Sequence, residues 1–176
     1  SNGGLAANYT LTGGTHQLTV NQRPLNATLA RQYDATTTAA GSTLSSFDAL
    51  QGGETLSMSG SGTVASKDVA NGQSITLGSL ALVNGTGAVS NYLLNSAALN
   101  ITERALGLSG TRIYDGSTNA SNSDLTLGNL VGSETLTLSG TGTLANANVA
   151  SNKSVTLNSL SISDGSSGGL ATNYTL

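Results

Sequence analysis

Residues 54–80, ETLSMSGSGTVASKDVANGQSITLGSL, lie over residues 134–160, ETLTLSGTGTLANANVASNKSVTLNSL, without a gap and with 15 identities in 27 positions. A match of this length at a fixed offset of 80 marks a tandem repeat, and it governs how the rest of the chain is read. Upstream the offset becomes 81: Leu18, Val20, Arg23, Leu25, Arg31, Tyr33 and Asp34 fall on Leu99, Ile101, Arg104, Leu106, Arg112, Tyr114 and Asp115. Downstream it becomes 82, carrying Asn91-Tyr92 onto Asn173-Tyr174, and Asn8-Tyr9 stands 83 residues before the first of those pairs. The length changes fall in Gly/Ser/Asn stretches, where loops absorb them. Three segments result: residues 1–16 as the tail strand of a preceding repeat plus a connector, 17–97 as module one, and 98–176 as module two.

The repeated stretch reads as strands. Leu56/Met58, Leu136/Leu138, Ile75/Leu77, Val155/Leu157, Leu18/Val20 and Leu99/Ile101 all alternate with polar residues at period two. The apolar phase of Leu136 and Leu138 runs onto Gly140 and Gly142 before Leu144, and Leu56, Met58, Gly60, Gly62 and Val64 copy it. Glycine on the inward face signals a bend or a close backbone approach. After Ile75 and Leu77 the phase slips by one residue to Leu80 and Leu82, as a β-bulge or a short turn requires. No long window carries a capped helical stripe, and the best place for a short helix is the turn Ser46-Phe47-Asp48-Ala49-Leu50. The expected fold is all-β: two tandem, small, β-sandwich-like modules in an elongated arrangement, each closing its own core. A β-grasp-like sheet over one short helix per module is the alternative.

Composition narrows the function. Of 176 residues only 9% are charged, with six Lys plus Arg, a net charge of −3, 23 Gly, one Pro and no Cys. Six cations offer no basic patch for phosphates, so nucleic acid is not an expected partner. No apolar run is long enough to insert in a membrane as a helix. Without Cys there are neither disulfides nor thiolate metal sites. The single His16 stands in the connector, and the equivalent place before module two is Ala97, so no repeated base is available for a Ser nucleophile. The expectation is no enzyme, no cofactor and no metal.

The charges and tyrosines that recur are the candidate functional positions: Arg31, Tyr33, Asp34, Glu54 and Tyr92 in module one, with Arg112, Tyr114, Asp115, Glu134 and Tyr174 in module two. Arg31 and Arg112 stand close enough to Asp34 and Asp115, or to turn carbonyls, to fix loop geometry. The alternative is a cation site built from Asp34/Asp115 and Glu54/Glu134, completed by backbone carbonyls. The tyrosines serve as core anchors, with stacking on glycans as the functional alternative. Lys67 aligns with Ala147 and Lys153 with Gln73 rather than with each other, which argues against a shared isopeptide crosslink.

Arg-x-Tyr-Asp-(Gly/Ala)-x-Thr at 31–37 and 112–118, then Glu-Thr-Leu-x-x-Ser-Gly-x-Gly-Thr, then Val-Ala before a strand, and a closing Asn-Tyr-x-Leu form an ordered set. The set resembles the YDG and related MBG repeats of filamentous-haemagglutinin-like exoproteins of Gram-negative bacteria. Module one departs from the pattern with Ala35, where module two has Gly116. The resemblance implies export by two-partner secretion, a secreted or cell-surface location, and a stalk in an adhesin or biofilm matrix protein. It supplies no catalytic residues. The expected role is a structural spacer whose partners are neighbouring repeats of the same chain, and binding of extracellular polysaccharide or host glycan by the modules is the alternative. Residues 5–11 are expected to be disordered, or to pair as an added edge strand with another molecule.

Overall fold

Strands form at the alternating pairs Leu56/Met58, Leu136/Leu138 and Leu99/Ile101, whereas Leu18/Val20 lie in irregular chain and Ile75/Leu77 flank a single bridge at Thr76. The computed structural model describes residues 6–9 and 12–176. Module one contains β1 (Arg23–Gln32), β2 (Thr38–Ala40), β3 (Leu44–Phe47), β4 (Leu56–Ser59), β5 (Ser61–Thr63), β6 (Ala70–Ser74) and β7 (Ala81–Asn84). The long β8 (Tyr92–Thr102) leads out of it. Module two follows with β9 (Arg104–Ala105), β10 (Gly107–Gly110), β11 (Asn119–Ser121), β12 (Leu125–Gly128), β13 (Leu136–Ser139), β14 (Thr141–Leu144), β15 (Val155–Thr156), β16 (Ser161–Asp164) and β17 (Tyr174–Thr175). The protein is all-β, and helical structure among the described residues is confined to single 3-10 turns.

That corrects the short helix expected at 46–50. The chain there is still in β3 through Phe47, and Asp48 ties it to β1: its carboxylate accepts from the Asn26 amide at 2.9 Å and from Asn26 Nδ2 at 2.6 Å. A side chain that satisfies a neighbouring strand's donors ties the bend after β3 to the sheet rather than leaving it to coil into a helix. The β-grasp alternative falls with the helix.

The sheets are small and open. Module one has a four-stranded sheet in the order β3-β1-β8-β6, with β2-β5 and β4-β7 as pairs beside it. Between β4 and β5 the chain turns from one sheet to another at Gly60, whose φ is +76°. A Cβ there would stand 2.0 Å from the Ser79 carbonyl oxygen, and at Gly140 2.1 Å from that of Ser159. Two residues on, a Cβ at Gly62 would lie 2.5 Å from Ile75 Cγ2, and one at Gly142 equally close to Val155 Cγ1. The first glycine of each pair is the bend and the second is the close approach. The phase slip is a short turn, closed by Leu80 N–H on the Leu77 carbonyl at 2.8 Å and by Leu160 on Leu157 at 2.7 Å.

The four-stranded sheet holds the main departure from the sequence reading. β1 and β8 run parallel from Arg23↔Tyr92 to Gln32↔Thr102, and the second half of β8 also pairs antiparallel with β6 through Gln73↔Leu99 and Ser74↔Ala98. Residues 98–102 open the second repeat by sequence, yet they complete the sheet of the first. Leu99 and Ile101 are 0% and 1% exposed, in one cluster with Leu29, Tyr33, Met58, Val64 and Ile75. Their counterparts Leu18 and Val20 are 88% and 85% exposed. The expectation that each module closes its own core is therefore corrected. Module one is closed by the leading strand of module two, because a sheet of few short strands cannot bury both faces without another element.

Module two repeats the pairings that lie within a unit. β17 pairs parallel with β9 through Tyr174↔Arg104, as Tyr92 pairs with Arg23. β13 pairs with β16, β11 with β14, and β10 with β12, copying β4-β7, β2-β5 and β1-β3. At residues 150–154, the counterpart of β6, there is no strand. Of the stretch 5–11, Leu5, Thr10 and Leu11 lie outside the described residues. Ala6–Asn8 form a 3-10 turn before Tyr9, as Val89–Asn91 do before Tyr92 and Ala171–Asn173 before Tyr174.

Candidate functional site

The recurring tyrosines and glutamates meet where the two modules join. The 3-10 turn Ala171–Asn173 points the closing Asn-Tyr of module two at the loop 66–69 of module one. Asn173 is fully buried: its Oδ1 accepts from the Val69 amide at 2.9 Å, and its Nδ2 donates to Asp68 Oδ1 at 2.9 Å. That bond, with smaller contributions from Ser66 and Lys67, holds the Asp68 carboxyl below the usual carboxylate range against the opposing effect of burial. The Tyr174 ring meets the edge of the Tyr33 ring at a centroid distance of 5.4 Å and an interplanar angle of 74°, a favourable aromatic geometry.

Glu134 stands at the centre, 8% exposed. Its Oε1 accepts from the Tyr33 hydroxyl at 2.7 Å and from Lys67 Nζ at 3.2 Å, and its Oε2 accepts from the Tyr174 hydroxyl at 2.6 Å. Lys67 Nζ also donates to the Tyr33 hydroxyl oxygen, and the Val131 amide donates to that of Tyr174 at 3.1 Å. A buried carboxylate is stable only when paired and hydrogen-bonded, and this one is both. Burial pushes its pKa up, yet the three donors together bring it below the ordinary carboxylate value. Burial and the hydrogen bond to Glu134 push Tyr174 up to about 12. Burial likewise raises Tyr33, and the hydrogen bond to Tyr33 is the main cause that raises Lys67. At neutral pH the cluster is an ionised carboxylate, an ammonium and two neutral phenols, each facing a complement.

Module one carries the same element at its other end. The Tyr92 hydroxyl donates to Glu54 and accepts from the Gln51 amide at 3.2 Å, as Tyr174 does with Glu134 and Val131. Here Glu54 is half-buried and Asn91 exposed. Module two mirrors this at its far end, where Tyr114 is 62% exposed and Val149 is also exposed, while their counterparts Tyr33 and Val69 lie in the junction.

The repeated arginines build the loops that present these tyrosines. Arg31 pairs with Asp34 and donates to the Thr36 carbonyl at 2.6 Å, and Asp34 in turn accepts from the Thr36 amide at 2.9 Å. Arg112 lies 3.5 Å from Asp115 and donates to the carbonyls of Ser117 and Asn119, with the Ser117 amide on Asp115 at 2.9 Å. Arg23 and Arg104 brace the next loop, through the carbonyls of Ala49 at 2.7 Å and Asn129 at 2.8 Å. Asp34 is thus bound to its own turn and Glu54 to Tyr92, not to each other. Among the described residues no three metal-ligating side chains are grouped to hold an ion.

The structure brings Tyr33, Glu134 and Tyr174 together, keeps Glu54 with Tyr92 as a separate copy, and leaves Tyr114 at the free end. Lys67 and Asp68 do not recur, since module two has Ala147 and Asn148 in their places, so repetition alone does not mark them as part of the site. Asn173 was visible in the Asn-Tyr motif, though nothing local showed that it reaches across the junction. The model of one family, the YDG domain, matches residues 17–99 and 97–176. No curated protein and no solved structure matches the chain.

Proposed function

The chain belongs to the YDG domain family, with two copies in tandem, and from that premise we propose that it is a structural spacer of a large secreted bacterial surface adhesin. In this reading the protein is exported by two-partner secretion, and its stacked modules hold a distal binding region away from the cell in adhesion or biofilm formation. The observation that carries the reading is the junction itself. Module two gives the end of a strand to module one in the register from Thr28↔Ala98 to Gln32↔Thr102, and the Glu134 cluster locks the contact beside it. Two modules so joined cannot swivel without breaking sheet pairing, and a spacer must have that stiffness. Nearest-neighbour stacking then adds length with one similar interface per unit.

The glycan-binding alternative draws less support. The rings of Tyr33, Tyr92 and Tyr174 are buried, so they offer no face to a sugar. Small-angle scattering tests the spacer: the two-module protein should scatter as a rigid in-line pair, and a glycan array should retain none of it. A hinged or collapsed particle, or specific retention on a polysaccharide, would overturn the reading.

A further inference from the structure

The first and last strands of module one lie side by side and point the same way. The chain enters β1 at Arg23 and leaves β8 at Thr102, and the two strands pair in parallel from Arg23↔Tyr92 to Gln32↔Thr102. A pull along the chain therefore acts on the start of β1 and the end of β8. It slides one strand along the other and loads every rung of the ladder at once. The evenly spaced bonds of a parallel pair share such a load, whereas a pull on two adjacent strand ends opens a pair one rung at a time. Residues 33–91 lie behind this ladder and carry no tension until it gives.

The ladder is reinforced where it is weakest. Its register shifts between Leu25 and Asn26, and there Asn26 Oδ1 accepts from Asn95 Nδ2 at 2.9 Å and from Ser96 Oγ at 2.7 Å. Both ends are extended as well: Gln22 Nε2 donates to the Ser90 carbonyl at 3.1 Å, and the Tyr33 amide donates to the Thr102 carbonyl at 2.9 Å. Both strands are interior ones in the order β3-β1-β8-β6, so neither can peel from an edge. Ala27 and Leu29 of β1 and Ala97, Leu99 and Ile101 of β8 are buried in one core cluster. Water cannot reach the rungs from that side to replace a bond as it breaks.

We propose that β1 and β8 form a mechanical clamp, through which module one bears tension along the chain as well as setting a distance. The use of the clamp to the protein rests on the spacer reading, while its existence does not. Past Glu103 the tension passes to β9, which again pairs in parallel with the closing strand of its own module through Tyr174↔Arg104 and Thr175↔Ala105. The start of module two thus repeats the geometry that carries load in module one.

The chain has no Cys, so handles for single-molecule force spectroscopy can be fixed at chosen residues of the full-length protein. Asn21→Cys/Glu103→Cys pulls the ladder in shear, and Gln32→Cys/Glu103→Cys pulls the same ladder open from one end. All three side chains are exposed, so circular dichroism and urea midpoints should match the parent in both variants. Forced rupture reads the unfolding barrier rather than the equilibrium stability. The rupture force should be severalfold higher in shear than from one end. Each shear rupture should release roughly 250 Å of chain, the full extension of about 80 residues less the folded ladder. Adding Asn95→Ala/Ser96→Ala removes the side-chain bonds at the register shift and leaves Asn26 bound to Asp48. It should lower the shear force and leave the one-end force nearly unchanged, because that pull breaks the opposite end first. Equal forces in the two directions, or a shear force indifferent to Asn95→Ala/Ser96→Ala, would overturn the clamp. Neither result bears on the scattering test of the spacer, and a hinged particle there would leave the force difference standing.

Discussion

An ionised carboxylate as buried as Glu134 costs several kcal/mol unless its charge is met, and here two phenols and an ammonium meet it. Removing it strands three donors at once. Glu134→Ala should therefore lower stability by about 3 kcal/mol, whereas Glu54→Ala, which frees only the Tyr92 hydroxyl at a half-buried site, should cost about 1 kcal/mol. Urea denaturation of the two variants checks the difference. The same cluster sets a pH dependence. Because the folded-state pKa of Glu134 lies below the ordinary 4.5, its contribution is complete above that value and is lost as pH falls through the lower one. Tyr174, raised from 10.0 to about 12, contributes fully below 10.0 and loses that contribution as pH climbs toward 12. Thermal melts over the full pH range should show both limbs in the parent and no Glu134-dependent acid limb in Glu134→Ala.

At the scale of elements, one sequence pattern has two fates. Leu18 and Leu99 occupy the same repeat position in segments of the same alternation, yet one is exposed and the other lies at the centre of a sheet. Leu99→Ala should cost about 3 kcal/mol by leaving a cavity among Leu29, Ile75 and Ile101. Leu18→Ala should stay within about 0.5 kcal/mol of the parent. Chemical denaturation of the monomer at low concentration distinguishes them. Other elements were plain from local signals: the glycine corner at Gly60 and Gly140 and the turn after Leu77 and Leu157 both follow from the phase of the apolar residues. The chain around Asp48 was not, because the group that anchors its bend is Asn26 on a neighbouring strand.

At the scale of the whole molecule, the two modules differ less in their own residues than in what covers them. Module one has a full four-stranded sheet, while module two lacks the strand that would order residues 150–154. Native-state hydrogen exchange on the dilute monomer should find the Tyr33 and Ile75 amides protected and those of Tyr114 and Val155 exchanging orders of magnitude faster. Equal protection at both sites would show that module two closes without a donor. The sequence by itself determined the repeat, its length, the all-β class, the glycine corners and the set of tyrosines and charges that recur, because each is a local property of spacing and residue type. Only the tertiary structure decided where a folded module ends, that Lys67, Asp68 and Asn173 belong to the site, and which copy of each recurring residue is buried. Those depend on pairing between segments some 70 residues apart, Asn26 with Ser96 for one. An alternating strand carries the information that it needs a partner, not which module supplies it.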